Sequence, residues 1–276
     1  MSVLTDDDVA YLSSTVTARS GIVLGPDKSY LVSSRMDTLA RQIHAPDVQD
    51  IVRRVRRGES ATIDRVVEAM TTNETSWFRD TRPFEALAAT VIPRALQTSN
   101  GLRIWSAACS TGQELYSLAM LLDSRFPELK GHRVELLGTD LSQDVVDKAE
   151  AGRFSQLEVN RGLPAPMLVR YMDRDGRGYR VRDELRARST WRTHNLIEPW
   201  PTLGTFDIVL MRNVLIYFDI PTKRQILHKV HQVLRPGGHL LLGSAESVIG
   251  VTDGFDTEIT ESTVVYRKTE ELTCTR

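Results

Sequence analysis

Apolar residues recur at helical spacing through the first part of the chain. In DDDVAYLSSTVTARSGI, Val9, Leu12 and Val16 fall on one helical face, and Gly21 supplies a stop. KSYLVSSRMDTLARQI repeats the stripe with Leu31, Met36, Leu39 and Ile43. VQDIVRRVRRGES follows and ends at Gly58, and ATIDRVVEAMTTNE gives Ile63, Val66, Val67 and Met70. No strand-like alternation interrupts this stretch, so the pattern predicts a small helical unit over residues 1–80, linker included.

From about residue 100 the pattern changes. GLRIWSAAC, HRVELLGTDLS, TFDIVLMRNVLIYF and HLLLGS are short apolar runs, and GQELYSLAMLLDSRF, QDVVDKAEAG and TKRQILHKVHQVL between them read as helices. STVVYRK adds a late strand. Strand and helix alternate, which predicts a parallel α/β sheet over residues 81–276. APMLVRYMDRDGRGYRVRDELRARSTW breaks the alternation with Asp-Gly and Arg-Gly turns, and predicts a small β insertion over roughly 165–190.

Composition narrows the class. The chain has 276 residues and a formal net charge of −1. It carries no sustained basic stripe, so nucleic acid is not an expected partner. Its two cysteines, Cys109 and Cys274, lie far apart, which fits a reducing compartment. The acidic start MSVLTDDDVAYL lacks the basic and apolar segments of a signal peptide. No apolar run approaches the ~18 residues that span a bilayer. The expectation is a cytoplasmic protein without direct membrane insertion.

Ligands of open parallel sheets bind beyond the carboxyl ends of the strands. After the first strand comes SAACSTGQE, where Gly112 opens a helix whose first N–H groups lack partners. One glycine stands where the dinucleotide fingerprint has three, and Glu114 repels phosphate, so a pyrophosphate cradle is not expected. Asp140, 28 positions after Gly112, ends the second strand and can accept from both ribose hydroxyls of a nucleoside; it can equally cap the next helix. Asn195 can read a purine edge, with Leu196 as an apolar face. Arg212 and Asn213 follow FDIVLM, and an arginine there is either at the wet end of a strand or paired. In MTTNETSWFRD, Thr71 with Glu74 fits a capping box. The other reading makes this segment one wall of a binding site. The three histidines His228, His231 and His239 lack companions for a metal site, and Cys109 reads as a small buried residue.

Taken in order, MTTNETSWFRD, WSAACSTGQELYSLAM, LLGTDLS, RNVLIYF and LRPGGHLLLGSAES resemble the class I S-adenosylmethionine-dependent methyltransferases. More narrowly they resemble the CheR family, which esterifies glutamates on chemoreceptors. The resemblance covers nearly the whole chain. It implies a Rossmann-like methyltransferase sheet with a small β insertion, preceded by a small all-α domain. It implies S-adenosyl-L-methionine as cofactor and S-adenosyl-L-homocysteine as product. By their match to the family's motifs, Asn73, Thr75 and Arg79 would contact the cofactor from the N-terminal side. Glu114 and Asp140 would take its methionine amino end and its ribose, Asn195 and Leu196 its adenine, with Arg212 and Asn213 as the strand-end pair. Arg79 and Tyr217 would line the methyl-transfer site. Trp77 stands where the family pattern leads one to expect Phe, which keeps the aromatic bulk.

The implied partner is the cytoplasmic domain of a chemoreceptor; the β insertion resembles the family's receptor-tethering module, which grips a receptor C-terminal peptide in some members and not in others. The arginines of RRVRR, Arg53 to Arg57, would steer an acidic helix or simply form a solvated face. Two rival readings remain at this stage: a non-catalytic cofactor-binding signalling module, and a methyltransferase acting on a small molecule or RNA.

Overall fold

Thr5 starts the first helix: its hydroxyl accepts the Asp8 N–H while the Asp8 carboxylate accepts the Thr5 N–H. Gly21 ends that helix at φ 75°, a conformation that favours glycine. The computed structural model describes residues 4–99 and 101–270, so Cys274 lies outside the described residues. Four helices, α1 (Asp6–Ser20), α2 (Ser29–Gln42), α3 (Val48–Arg56) and α4 (Ser60–Met70), form one unit that runs to Thr72 and also takes in Tyr217–Thr222.

Each helix buries one stripe. Leu12 and Val16 of α1, Ile51, Val52 and Val55 of α3, and Val66, Val67 and Met70 of α4 are all buried. In α2 the buried stripe is Val32, Met36, Leu39 and Ala40, so Val32 rather than Leu31 carries the face. The arginine run of α3 is mostly neutralised where it stands. Arg53 and Arg54 pair with Asp50, and Arg56 pairs with Asp7 and Asp8.

The expected capping box at Thr71 does not form. Thr71 is instead the residue that ends α4, with its hydroxyl donating to the Glu68 carbonyl at 2.7 Å. Arg35 completes that end by donating to the carbonyls of Ala69 and Thr71. The last carbonyls of a helix need donors, and here they claim the groups that a new helix start would have used.

The second unit comprises Asn73–Ile216 and Lys223–Arg276. Its strands are β1 (Gly101–Ala107), β2 (Arg133–Asp140), β3 (Arg153–Ser155), β4 (Met172–Asp175), β5 (Gly178–Val181), β6 (Ser189–Thr193), β7 (Phe206–Met211), β8 (Leu234–Leu242), β9 (Phe255–Thr260) and β10 (Thr263–Lys268). Seven of them form a sheet in the order β6-β2-β1-β7-β8-β10-β9, and β3, β5 and β4 form a separate antiparallel sheet. The first five strands of the large sheet are parallel, and β10 and β9 close it antiparallel.

All six residues of β7 are buried, as expected for a strand covered on both faces. The Pro-Gly-Gly segment does not end the helix before β8 in a free turn. It bulges inside β8, where the pairing with β7 jumps between Phe206 and Ile208. The hairpin partner β9 carries little apolar periodicity. Its turn to β10 uses Glu261 and Ser262, both at positive φ, rather than an Asn-Gly signal.

Candidate active site

The strand order reverses at β1: the chain builds outward through β2 and β6, then returns to place β7 on the other side. The carboxyl ends of β1, β2, β6 and β7 therefore meet one rim, where ligands of such sheets bind. Glycine at 138 lets the sheet close tightly there. A Cβ on Gly138 would lie 2.4 Å from the Trp191 ring, and one on Gly112, already at φ 92°, would lie 2.8 Å from the same ring.

The loop after β1 is a tight, left-handed-rich turn. Ala108, Ser110 and Gly112 have φ of 60°, 51° and 92°, a strained arrangement that needs its surroundings to fix it. Asp140, at the end of β2, does so. It is 7% exposed, and its Oδ2 accepts the Ser110 N–H at 2.8 Å while its Oδ1 accepts the Ser142 N–H at 3.2 Å. A carboxylate has about four acceptor positions, so its chemistry allows hydroxyl donors beside backbone N–H groups. Cys109 is buried in this loop, and burial pushes its thiol well above the usual range, with Asp140 and Glu114 adding to the shift. That is a packing residue, not a nucleophile.

Arg212, just after β7, is the organiser of the rim. Its side chain is 1% exposed, and it pairs with Glu114 at 2.8 Å and Asp80 at 2.6 Å. It also donates to the Arg79 carbonyl at 3.0 Å. The paired alternative for this arginine therefore holds. Glu114, in the first turn of the helix Gln113–Arg125, receives the Ser106 hydroxyl on its other oxygen. Through Arg212 the structure brings Arg79, Glu114 and the end of β7 together. The turn it anchors is strained, with Phe78, Asp80 and Thr81 all at positive φ. The Arg79 guanidinium folds back onto the Glu74 carbonyl at 3.2 Å.

Trp77 fixes the start of that turn. It is fully buried, its ring lies edge-on to Phe154 of β3 at 4.9 Å, and its backbone N–H donates to the Arg161 carbonyl. Asn73 joins the rim through its carbonyl, which accepts the Ser110 hydroxyl at 2.8 Å. Asn73 and Thr75 line a cavity of about 210 Å³ with Thr111 and Gln113.

Asn195 and Leu196 follow β6. The chain there is tied to β2 by the His194 N–H, which donates to the Asp140 carbonyl at 2.7 Å. Asn195 spans its own turn, with its Oδ1 accepting the Ile197 N–H and its Nδ2 donating to Glu198. Tyr217 is placed differently: it belongs by its contacts to the helical unit, where its carbonyl accepts the Val23 N–H at 2.9 Å.

Several positioning residues carry no sequence signal. Glu246 accepts the N–H groups of Asn213 and Gly243 at 2.7 Å each, and that of Ile216 at 3.2 Å, so one carboxylate ties the loops after β7 and β8. Lys229 donates to the carbonyls of Leu196, Ile197 and Glu198. Glu246 sits in the quoted GSAES, and Asp80 beside the quoted Arg79, but neither spacing nor type marks them out. The three histidines do not converge: His231 binds the Thr269 carbonyl, His228 binds Gln232, and His239 is buried in β8.

The donor set fits an adenosyl amino-acid cofactor. Asp140 offers acceptor capacity for hydroxyls. The Asn213 Oδ1 and the Arg212 Nε are buried without a partner among the described residues, and they can serve an ammonium and a carboxylate respectively. A doubly wound sheet with a single-glycine loop, an acidic residue ending β2 and buried polar groups after β7 suits an S-adenosylmethionine-dependent methyltransferase.

Sequence comparison makes the assignment specific. Residues 73–264 match the family described as "CheR methyltransferase, SAM binding domain", and residues 7–71 match "CheR methyltransferase, all-alpha domain". The chain belongs to the CheR methyltransferase family. It is similar to chemotaxis protein methyltransferase 1 of Pseudomonas aeruginosa, with 42% identity over 90% of this chain and 92% of that protein. It is 37% identical to chemotaxis protein methyltransferase 1 of Vibrio cholerae over 97% of this chain and 99% of that protein.

Proposed function

We propose that this chain transfers the methyl group of S-adenosyl-L-methionine to glutamate side chains on the cytoplasmic helices of a chemoreceptor, giving methyl esters and S-adenosyl-L-homocysteine. The observation that carries the reading is the Arg79 turn. A buried arginine and two carboxylates hold it at the rim, and the Arg79 guanidinium engages the protein only through the Glu74 carbonyl among the described residues. Its remaining donors suit a carboxylate acceptor.

The cofactor supplies an electrophilic methyl on a sulfonium. A glutamate with an ordinary pKa of ~4.3 is already ionised at neutral pH, so the acceptor needs no general base. The protein's task is positioning and electrostatics. In this reading Arg79 orients one acceptor oxygen. Asp140 holds the ribose, and Asn195 and Leu196 the adenine. Asn73 and Thr75 close over the cofactor, and Glu114, Arg212 and Asn213 receive its methionine end. Tyr217 keeps the place at the methyl group that the family resemblance gives it. A receptor C-terminal peptide would pair with the small β3-β5-β4 sheet. Among the described residues no helix is long and apolar enough to cross a membrane, and the reading places the protein in the cytoplasm.

The test is transfer of labelled methyl to receptor cytoplasmic fragments, with release of the label in mild alkali. Arg79→Ala should lose transfer far more than affinity for S-adenosyl-L-homocysteine. Equal loss of both would reduce Arg79 to a cofactor clamp, and alkali-stable label would point to N-methylation instead.

A further inference from the structure

At the rim β7 and β8 finish level, with Met211 opposite Leu242. The chain leaves both strands side by side, and the peptide N–H groups beyond the ladder need new partners. One carboxylate meets them. Glu246 Oε2 accepts the Asn213 N–H and the Gly243 N–H at 2.7 Å each, and Oε1 accepts the Ile216 N–H at 3.2 Å. The Glu246 N–H in turn donates to the Gly243 carbonyl at 2.9 Å, which closes the Gly243–Glu246 turn.

The residue braced in this way is Asn213. Its φ of 60° lies in the left-handed region, which asparagine tolerates but which the surroundings must hold. Its side-chain amide lies against Gly243. A Cβ on that glycine would be 2.7 Å from Asn213 Nδ2, 2.8 Å from Glu246 Oε2 and 2.9 Å from the Asn213 backbone nitrogen. No side chain fits at position 243, and the NH2 end of the amide faces the loop after β8. The other end, Oδ1, is buried without a partner among the described residues. A buried acceptor left empty is costly, so this oxygen suits a donor that a ligand brings. The ammonium at the cofactor's methionine end carries three donors and no acceptor.

We propose that Glu246 is a positioning residue for recognition of the cofactor's amino group, acting through the Asn213 side chain, whose Oδ1 it aims. The inference rests on the placement of Asn213 at the methionine end in the proposed function. Selectivity for a cofactor with its ammonium, over the same thioether without it, then depends on a carboxylate 33 positions away in sequence. Both carboxylate oxygens matter. An amide in their place keeps one acceptor and turns an NH2 group toward an N–H that the other oxygen served.

The experiment measures, by calorimetry on the full chain, the Kd of S-adenosyl-L-homocysteine and of its deamino analogue, which retains the adenosine, the thioether and the carboxylate. Glu246→Ala should weaken S-adenosyl-L-homocysteine about three- to tenfold and leave the Kd of the deamino analogue unchanged. Glu246→Gln should lie between the parent and Glu246→Ala. Asn213→Ala should show the same split between the two ligands, and adding Glu246→Ala to it should change neither Kd by more than about twofold. Normal binding of the deamino analogue is the internal control for folding. Equal loss of both ligands in Glu246→Ala and Glu246→Gln would overturn the proposal, because the brace would then serve the fold alone. So would full additivity of the Asn213 and Glu246 substitutions, or parent-like affinity of Glu246→Ala for S-adenosyl-L-homocysteine. If Asn213→Ala itself does not separate the two ligands, the placement of Asn213 in the proposed function fails first. If Asn213→Ala separates them and Glu246→Ala does not, only the inference fails.

Discussion

Replacing Arg212 by Met tests the electrostatic anchor of the rim. The substitution removes a cation whose side chain is 1% exposed and leaves the Glu114 carboxylate, 12% exposed, without its partner. Breaking a buried pair of this kind costs about 3–5 kcal/mol, because one charge stays buried and unpaired. The Asp80 side chain is 43% exposed, so solvent screening limits its share to about 1 kcal/mol or less. Glu114→Leu strands Arg212 in the same way but leaves it the half-exposed Asp80, and should cost less, about 2–3 kcal/mol. With both groups replaced by apolar ones no buried charge is left over. The double variant should then be more stable than the sum of the singles predicts, by about 2 kcal/mol. Urea unfolding followed by tryptophan fluorescence is the assay. Trp77, Trp105, Trp191 and Trp200 all lie in the catalytic unit, so the signal reports the unit that holds the pair. Single losses below about 1 kcal/mol, or additivity within about 0.5 kcal/mol, would refute the claim that this pair anchors the rim.

Gly138→Ala puts a methyl group 2.4 Å from the Trp191 ring; it should cost about 1–3 kcal/mol and shift the tryptophan emission, and an unchanged urea midpoint would contradict the packing described. Lys229→Met frees the three carbonyls that hold Leu196 to Glu198 in place. Calorimetry should show weaker S-adenosyl-L-homocysteine binding by about three- to tenfold, and parent-like affinity would remove that loop from the cofactor site. Burial holds the His239 imidazole below its usual pKa, with Glu258 opposing the shift. The unfolded chain therefore takes up that proton first as the pH falls. Stability from this group is complete above about 6.5 and declines below it. His239→Gln should flatten the decline between about pH 7 and pH 5.5, and an unaltered slope in urea titrations would refute it.

What the sequence alone determined about this protein is what local spacing can encode. The stripes of Leu12 with Val16 and of Val66, Val67 with Met70, the αL stop at Gly21, and the fully apolar FDIVLM of β7 each follow from one short window. Their period and terminating residue name the element. The alternation of such windows gave the α/β class, and the ordered motifs gave the family and its cofactor. Asp140 and the Ser110 loop it braces could also be placed at the sheet's rim, because strand ends are readable.

Tertiary structure decided the rest. That Arg212 is a buried partner of Glu114 and Asp80, and not a strand-end surface charge, depends on residues 98 and 132 positions away in sequence. Glu246 binds Asn213 across 33 positions, and Gly138 owes its identity to a tryptophan on the neighbouring strand. Thr71 had a sequence signature for opening a helix, yet it closes one, because the carbonyls at the end of α4 and the distant Arg35 claimed its groups first. Charges and hydrogen-bonding groups choose partners by proximity in space, and a local pattern specifies which groups are available without specifying which of them the fold brings within reach.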